Sequence, residues 1–61
     1  MKRKQIEKAI DSGKLLRLKD EPMSRVCRDL FGNIVVISLY AEEPVRLMTD
    51  DDAVKVEMIT E

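Results

Sequence analysis

The sequence has no histidine and only one cysteine, and these two shortages exclude several kinds of chemistry. The usual zinc sites need several Cys or His ligands, so the chain cannot assemble one. A single cysteine cannot form an internal disulfide, and Cys27 has no histidine that could activate it as a nucleophile. We therefore expect no metal, no cofactor and no enzymatic activity, and we interpret Cys27 as a partly buried structural residue.

Long apolar runs are also missing from the sequence. No stretch approaches the roughly 20 apolar residues that a membrane-spanning helix needs. The basic N-terminus is not followed by the apolar segment of a signal peptide. A lone cysteine is typical of proteins in a reducing compartment. These features predict a soluble, cytoplasmic protein with no membrane partner.

The chain is short, and its 61 residues predict one domain spanning residues 1–61. A domain of this size buries only about 60% of the surface that its unfolded chain exposes, so its core is small. Without a disulfide or a metal, stability must come from packing, alone or together with self-association. We expect a homo-oligomer that assembles through the C-terminal strand, because a terminal strand is often a sheet edge with unpaired backbone groups.

The clearest pattern that is present runs from Leu30 to Tyr40, where the densest apolar stretch surrounds Gly32-Asn33. Glycine readily adopts the positive φ that the first position of a type II′ turn requires, so this pair predicts a two-residue hairpin loop. Such a loop places Leu30 opposite Val35, and opposed residues share a face of the sheet. The predicted core is therefore Val26, Leu30, Val35, Ile37 and Leu39.

Apolar periodicity predicts one helix and several strands around this hairpin. Ile6, Ala9 and Ile10 form one stripe of a helix over Lys2–Ser12, which Gly13 can end. Proline is disfavoured inside strands, so we expect breaks between strands at Asp20-Glu21-Pro22 and Glu42-Glu43-Pro44. Between and beside these breaks the predicted strands are Lys14–Lys19, Ser24–Phe31, Ile34–Tyr40 and Val45–Met48, and the last has Val45 and Leu47 on one face.

The segment Ala53–Thr60 fits two descriptions. Val54, Val56 and Met58 alternate with charged residues, which is a strand pattern. Thr49 followed by Asp52 could instead cap a helix, with acidic residues suited to its first turn. The β-branched valines and the period of two favour the strand.

The expected fold class is α+β, a short N-terminal helix followed by four to five short antiparallel strands in a compact bent sheet or small open barrel. A basic helix spans residues 1–13, and an antiparallel sheet spans 14–61 around the hairpin at 24–40. SH3-like and Sm-like barrels have a comparable size and number of elements. This analogy concerns fold alone, since fold does not determine function.

Charge is unevenly distributed along the chain. Residues 1–19 have a net charge of +5 and residues 20–61 a net charge of −6. Such a split can indicate a basic segment that binds nucleic acid, or a basic segment that lies against the acidic remainder of the same or another chain. Asp50-Asp51-Asp52 lacks the spacing and the glycine of a calcium loop, so we expect a solvated acidic turn there.

The function that we expect is non-catalytic binding of a protein partner, as an adaptor, a regulatory subunit or a phage-type inhibitor. In the predicted register one hairpin face is mixed, and arginine and aromatic residues are favoured anchors at interfaces. The N-terminal helix could equally cover this face. The predicted binding residues are Arg25, Phe31, Ile34, Val36 and Tyr40.

The alternative function is nucleic-acid binding, because phosphate contacts need concentrated positive charge. The sequence offers only two aromatic residues, Phe31 and Tyr40, for stacking on bases. The only concentrated basic region comprises Lys2, Arg3, Lys4, Lys8, Lys14, Arg17 and Lys19.

Overall fold

The computed structural model describes residues 1–39, 42 and 45–59. Along the chain the elements are α1 (Arg3–Asp11), β1 (Leu16–Leu18), β2 (Glu21–Arg28), β3 (Ile34–Ser38), β4 (Val45–Leu47), α2 (Asp50–Lys55) and β5 (Val56–Met58). The five strands form one open antiparallel sheet in the order β4-β3-β2-β1-β5. The predicted α+β fold class is confirmed. No helix within the described ranges is long and apolar enough to cross a membrane.

The N-terminal helix lies where the sequence predicts it, one residue shorter at each end. The backbone N–H of Lys2 donates to Oε1 of Gln5 at 3.0 Å at its start. Gly13, with φ of +78°, follows its end in the left-handed region that glycine favours. Ile6 is fully buried, and Ala9 and Ile10 pack partly buried beside it, so the predicted stripe docks the helix on the sheet.

The core lies between α1 and one face of the sheet. Leu16, Val26 and Val36 lie opposite one another across three neighbouring strands, so their side chains share this face. The buried apolar cluster contains Ile6, Leu16, Leu18, Val26, Ile34, Val36, Met48, Ala53 and Val56.

The predicted two-residue hairpin loop is wrong. Arg28 pairs with Ile34, so the connection spans residues 29–33. The Asp29 carboxylate accepts hydrogen bonds from the backbone N–H groups of Phe31, at 2.9 Å, and Asn33, at 2.8 Å. Gly32 adopts a φ of +84° inside this loop, and its N–H donates to the Asp29 carbonyl at 3.2 Å. A turn followed by a left-handed glycine is the usual longer alternative to a two-residue loop.

This loop changes which residues form the core. Val26 lies opposite Val36 instead of Leu39, a shift of three positions that exchanges the faces of β3 relative to β2. Of the five predicted core residues, two are exposed, Leu30 at 100% and Leu39 at 65%. Ile37 is half-buried. Val26 and Val35 are buried, but they lie on opposite faces of the sheet.

The end of the chain combines both structures that the sequence allowed. The strand predicted for Ala53–Thr60 is wrong over its first part, where α2 continues to Lys55, and right for Val56–Met58. Thr49 caps α2, because its hydroxyl accepts from the Asp52 N–H at 3.2 Å and the Asp52 carboxylate accepts from the Thr49 N–H at 3.0 Å. The predicted solvated acidic turn is therefore the first turn of this helix, and Asp52 is buried.

The first predicted break also differs from the structure. The turn falls on Lys19 and Asp20, and Pro22 lies inside β2. The buried Ser24 hydroxyl accepts from the Leu18 N–H at 2.9 Å and donates to the Glu21 carbonyl at 2.7 Å. It satisfies backbone groups at the point where the register between β1 and β2 shifts. The predicted strand ends at Tyr40 and Thr60, and most of the second break, lie outside the described residues.

Two matched substitutions test the hairpin register. Leu18→Ala should lower the free energy of unfolding by about 2–5 kcal/mol, because it leaves a cavity in the core. Leu30→Ala should change it by less than about 0.5 kcal/mol, because the Leu30 side chain is fully exposed. Urea unfolding followed by circular dichroism measures both values. A large loss for Leu30→Ala would contradict the loop at 29–33.

Candidate functional site

The side of the sheet opposite the core carries an apolar surface across β2, β3 and β4. Side chains alternate between the two faces of a strand, so the neighbours of core residues Val26 and Val36 point to this side. The register aligns them in two rows across the three strands. We call this surface the outer face. Its first row is Cys27, Val35 and Leu47, and its second row is Arg25, Ile37 and Val45.

The outer face is most exposed along β4. Val45 is 55% exposed and Leu47 is 63% exposed, although both are large apolar residues. Val35 lies at the centre of its row, between its neighbours on β2 and β4. It is buried, although it does not belong to the main core cluster. Exposed Met23 in β2 and Leu39 just beyond β3 continue the apolar alternation. An apolar patch of this kind is a feature of interaction sites.

Arg25 supplies the positive charge of the outer face. Its guanidinium donates to the backbone carbonyls of Pro22, at 3.2 Å, and Ser24, at 2.6 Å. These bonds hold the side chain beside β2. Arg25 forms no ion pair with any carboxylate among residues 1–39, 42 and 45–59. No described carboxylate therefore neutralises its charge.

Cys27 contributes a neutral, weakly polar surface to the same face. Burial raises the pKa of the Cys27 thiol above its ordinary value of 9.0, and the nearby charge of Asp29 raises it further. The thiol is therefore protonated at neutral pH, whereas a nucleophilic cysteine needs its thiolate.

An ion pair on the inner side fixes the position of β4. Arg46 lies between Val45 and Leu47 and points to the opposite face, where its guanidinium pairs with the Asp52 carboxylate in α2. Glu21 lies 3.8 Å from the same guanidinium. The hydrogen bond from Arg46 lowers the pKa of Asp52, and bonds from the Thr49 N–H and hydroxyl lower it further. This contact ties the most exposed strand of the outer face to α2.

The structure does not bring the predicted protein-binding residues together. Arg25 lies on the outer face, and Phe31 lies at the hairpin tip with 88% of its surface exposed. Ile34 and Val36 are buried in the core, which excludes them from a surface contact. Tyr40 lies outside the described residues. The hairpin face with mixed apolar and charged residues was a consequence of the predicted two-residue loop, and the observed loop does not produce it.

The predicted basic residues divide into two groups. Arg3 pairs with Asp50 at 3.4 Å, and Arg17 pairs with Glu57 at 2.9 Å, so part of the basic segment does lie against the acidic remainder. The other five form no ion pair with a described carboxylate. Three of them line one groove beside α1 and β5. The unpaired residues are Lys2, Lys4, Lys8, Lys14 and Lys19.

Sequence reasoning missed the outer face as a site. The alternation of Val45, Arg46 and Leu47 was the available signal, and it did predict that the two apolar residues share a side. Both helices contribute to the core on the opposite face of the sheet, and Val45 and Leu47 stay exposed; this follows from the tertiary structure and not from the sequence pattern.

Comparison with models of known families, with curated proteins and with solved structures yields no match to this chain. Within the described part of the chain, no group of three or more His, Cys, Asp or Glu residues could hold a metal ion.

The Arg46–Asp52 pair makes stability dependent on pH. Asp52→Asn should lower the free energy of unfolding at neutral pH, and its difference from wild type should shrink as the solution is made acidic. The folded-state pKa of Asp52 lies below 3.8, so the unfolded chain binds the proton first as pH falls. The stabilisation is complete above the unfolded pKa and is lost as pH falls through the folded pKa.

Urea unfolding at about pH 7 and about pH 2 measures this difference. Asp51→Asn is the matched control, because Asp51 is exposed in the same first turn of α2. Its effect should be small at both pH values. An Asp52→Asn difference that persists undiminished in acid would contradict the ion pair.

Proposed function

We propose that this chain is a small non-catalytic module that binds a protein partner through its outer face. The observation that carries the proposal is the exposure of Val45 and Leu47 beside the half-buried and buried apolar residues of β2 and β3. Covering this area would remove apolar surface from water, at roughly 25 cal/mol per Å². We infer further that the module acts in the cytoplasm, where its single thiol stays reduced.

The composition of the outer face supports a protein as the partner. Interfaces combine an apolar centre with a polar rim, and arginine is enriched among the residues that dominate binding energy. Here an apolar row through Val35 adjoins a row that ends at Arg25. The protonated Cys27 thiol adds contact area without reactivity.

The contacts that anchor β4 also support a binding role for the outer face. Binding costs free energy for each side chain and segment that must be ordered, so a surface that is already ordered binds more tightly. Arg46 holds β4 to α2, and the backbone N–H of Met48 donates to the Ile34 carbonyl at 3.0 Å. These contacts fix β4 before any partner arrives.

Nucleic acid is the second candidate partner. It is supported by the five lysines that form no ion pair with a described carboxylate. Positive charge alone gives binding without sequence preference and with strong salt dependence. The groove that three of these lysines line has no aromatic side chain among its described residues, so it offers no platform for bases.

Affinity capture from a native lysate tests the proposal when two matched double variants are compared. Val45→Ser with Leu47→Ser should weaken capture of the partner by about tenfold or more, because it removes the exposed apolar centre. Leu30→Ser with Val54→Ser is the control, because it removes one exposed Leu and one exposed Val outside the outer face. The control should capture the partner as wild type does.

A parallel capture after nuclease treatment separates the two candidate partners. A protein partner should remain bound, whereas binding bridged by nucleic acid should be lost. Equal capture by both double variants would contradict the outer face as the binding surface. Loss after nuclease treatment would favour the second candidate.

A further inference from the structure

Among the residues that the structure describes, the two edge strands of the sheet have backbone groups on their free edges with no hydrogen-bond partner. On β5, the Ile59 N–H donates to the Leu15 carbonyl at 2.9 Å, and the Lys55 carbonyl accepts from the Lys19 N–H at 2.8 Å. Backbone groups of alternate residues point to opposite sides of a strand. The N–H and C=O of Met58 therefore point away from β1, toward the free edge.

The same reasoning applies to β4 at the other edge. The Met48 N–H donates to the Ile34 carbonyl, and Arg46 lies opposite Val36, so the backbone groups of these residues face β3. Those of Val45 and Leu47 face outward. Each edge can therefore pair with one more strand.

The edge at β5 is bordered by positive charge. A groove of about 620 Å³ between α1 and β5 is lined by all three residues of the strand and by Lys8, Lys14 and Lys19. Consecutive residues of a strand point to opposite faces, so a groove that touches all three runs along the edge. Glu57 is the acidic residue in its lining, and Arg17 pairs with it at 2.9 Å.

The segment that follows β4 is acidic, and the arginine within β4, Arg46, is paired with Asp52. Asp50 and Asp51 follow β4 after a two-residue connection and are exposed, and the Asp50 side chain is 99% exposed. Asp50 has one ion pair, with Arg3 at 3.4 Å, and Asp51 has none with a described cation. The two edges of one molecule are therefore complementary in both backbone pairing and charge.

We propose that β4 of one copy adds to the free edge of β5 of a second copy. The outward backbone groups of Val45 and Leu47 pair with those of Met58, and the acidic residues after β4 lie against the lysines of the groove. Strand addition to an exposed sheet edge is an established mode of recognition, in which main-chain hydrogen bonds provide affinity. The opposite charges select the partner edge and disfavour pairing of two β4 or two β5 edges.

The resulting contact is head-to-tail. It uses two different surfaces of the same chain, so a pair of copies keeps one free edge of each kind and accepts further copies. The sheet continues across each contact.

Light scattering during size exclusion over a hundredfold dilution tests the proposal. Wild type should exceed the mass of two protomers at high concentration and dissociate on dilution. Lys14→Glu with Lys19→Glu should raise the apparent dissociation constant by about tenfold or more, because attraction across the contact becomes repulsion. Lys2→Glu with Lys4→Glu is the control, because it makes the same charge change outside the groove, and it should assemble as wild type does.

A charge exchange makes the test specific for the two edges. Asp50→Lys with Asp51→Lys should also fail to assemble alone, and mixing it with Lys14→Glu, Lys19→Glu should restore the mass. Circular dichroism should show that every variant is folded. A mass fixed at one protomer for wild type, an equal loss in the control, or no recovery on mixing would overturn the proposal. So would loss of oligothymidine binding by Lys14→Glu, Lys19→Glu with its mass unchanged, because the groove would then serve nucleic acid.

Discussion

The register between β2 and β3 depends on hydrogen bonds that one carboxylate accepts. Asp29 holds the N–H groups of Phe31 and Asn33, and so closes the hairpin loop over residues 29–33. Because side chains alternate along a strand, this loop decides which residues of β3 face α1 and which face solvent. The core through Val36 and the outer face through Val35 are both consequences of it.

Local patterns in the sequence predicted the elements that local interactions determine. The stripe of Ile6, Ala9 and Ile10 and the glycine after it correctly gave α1, because periodicity and a C-terminal glycine act within a few residues. Gly32 was correctly identified as a turn residue. Its position within the loop could not be read from the same signal, because a left-handed glycine occurs in loops of two residues and in longer ones.

The errors have causes that lie in tertiary structure. Thr49 and Asp52 carried a recognisable helix cap, but the alternation of Val54, Val56 and Met58 favoured a strand. The helix prevails for six residues, where Arg46, on a different strand, pairs with the capping carboxylate. For the candidate site, the sequence identified Arg25 and the shared side of Val45 and Leu47. It placed Ile34 and Val36 on a surface because the face of β3 followed from the wrong loop.

The junction between α2 and β5 has a consequence for how distant parts of the molecule respond to one another. No loop separates Lys55 from Val56, and Asp52 of the same short helix holds Arg46 of β4. One continuous segment therefore contacts β4 through Asp52 at its start and pairs with β1 as β5 at its end. Any interaction between binding at β4 and binding at β5 would be reciprocal, so each ligand would change the affinity of the other by the same factor. The Arg46–Asp52 contact at the start of this segment would weaken when Asp52 is protonated.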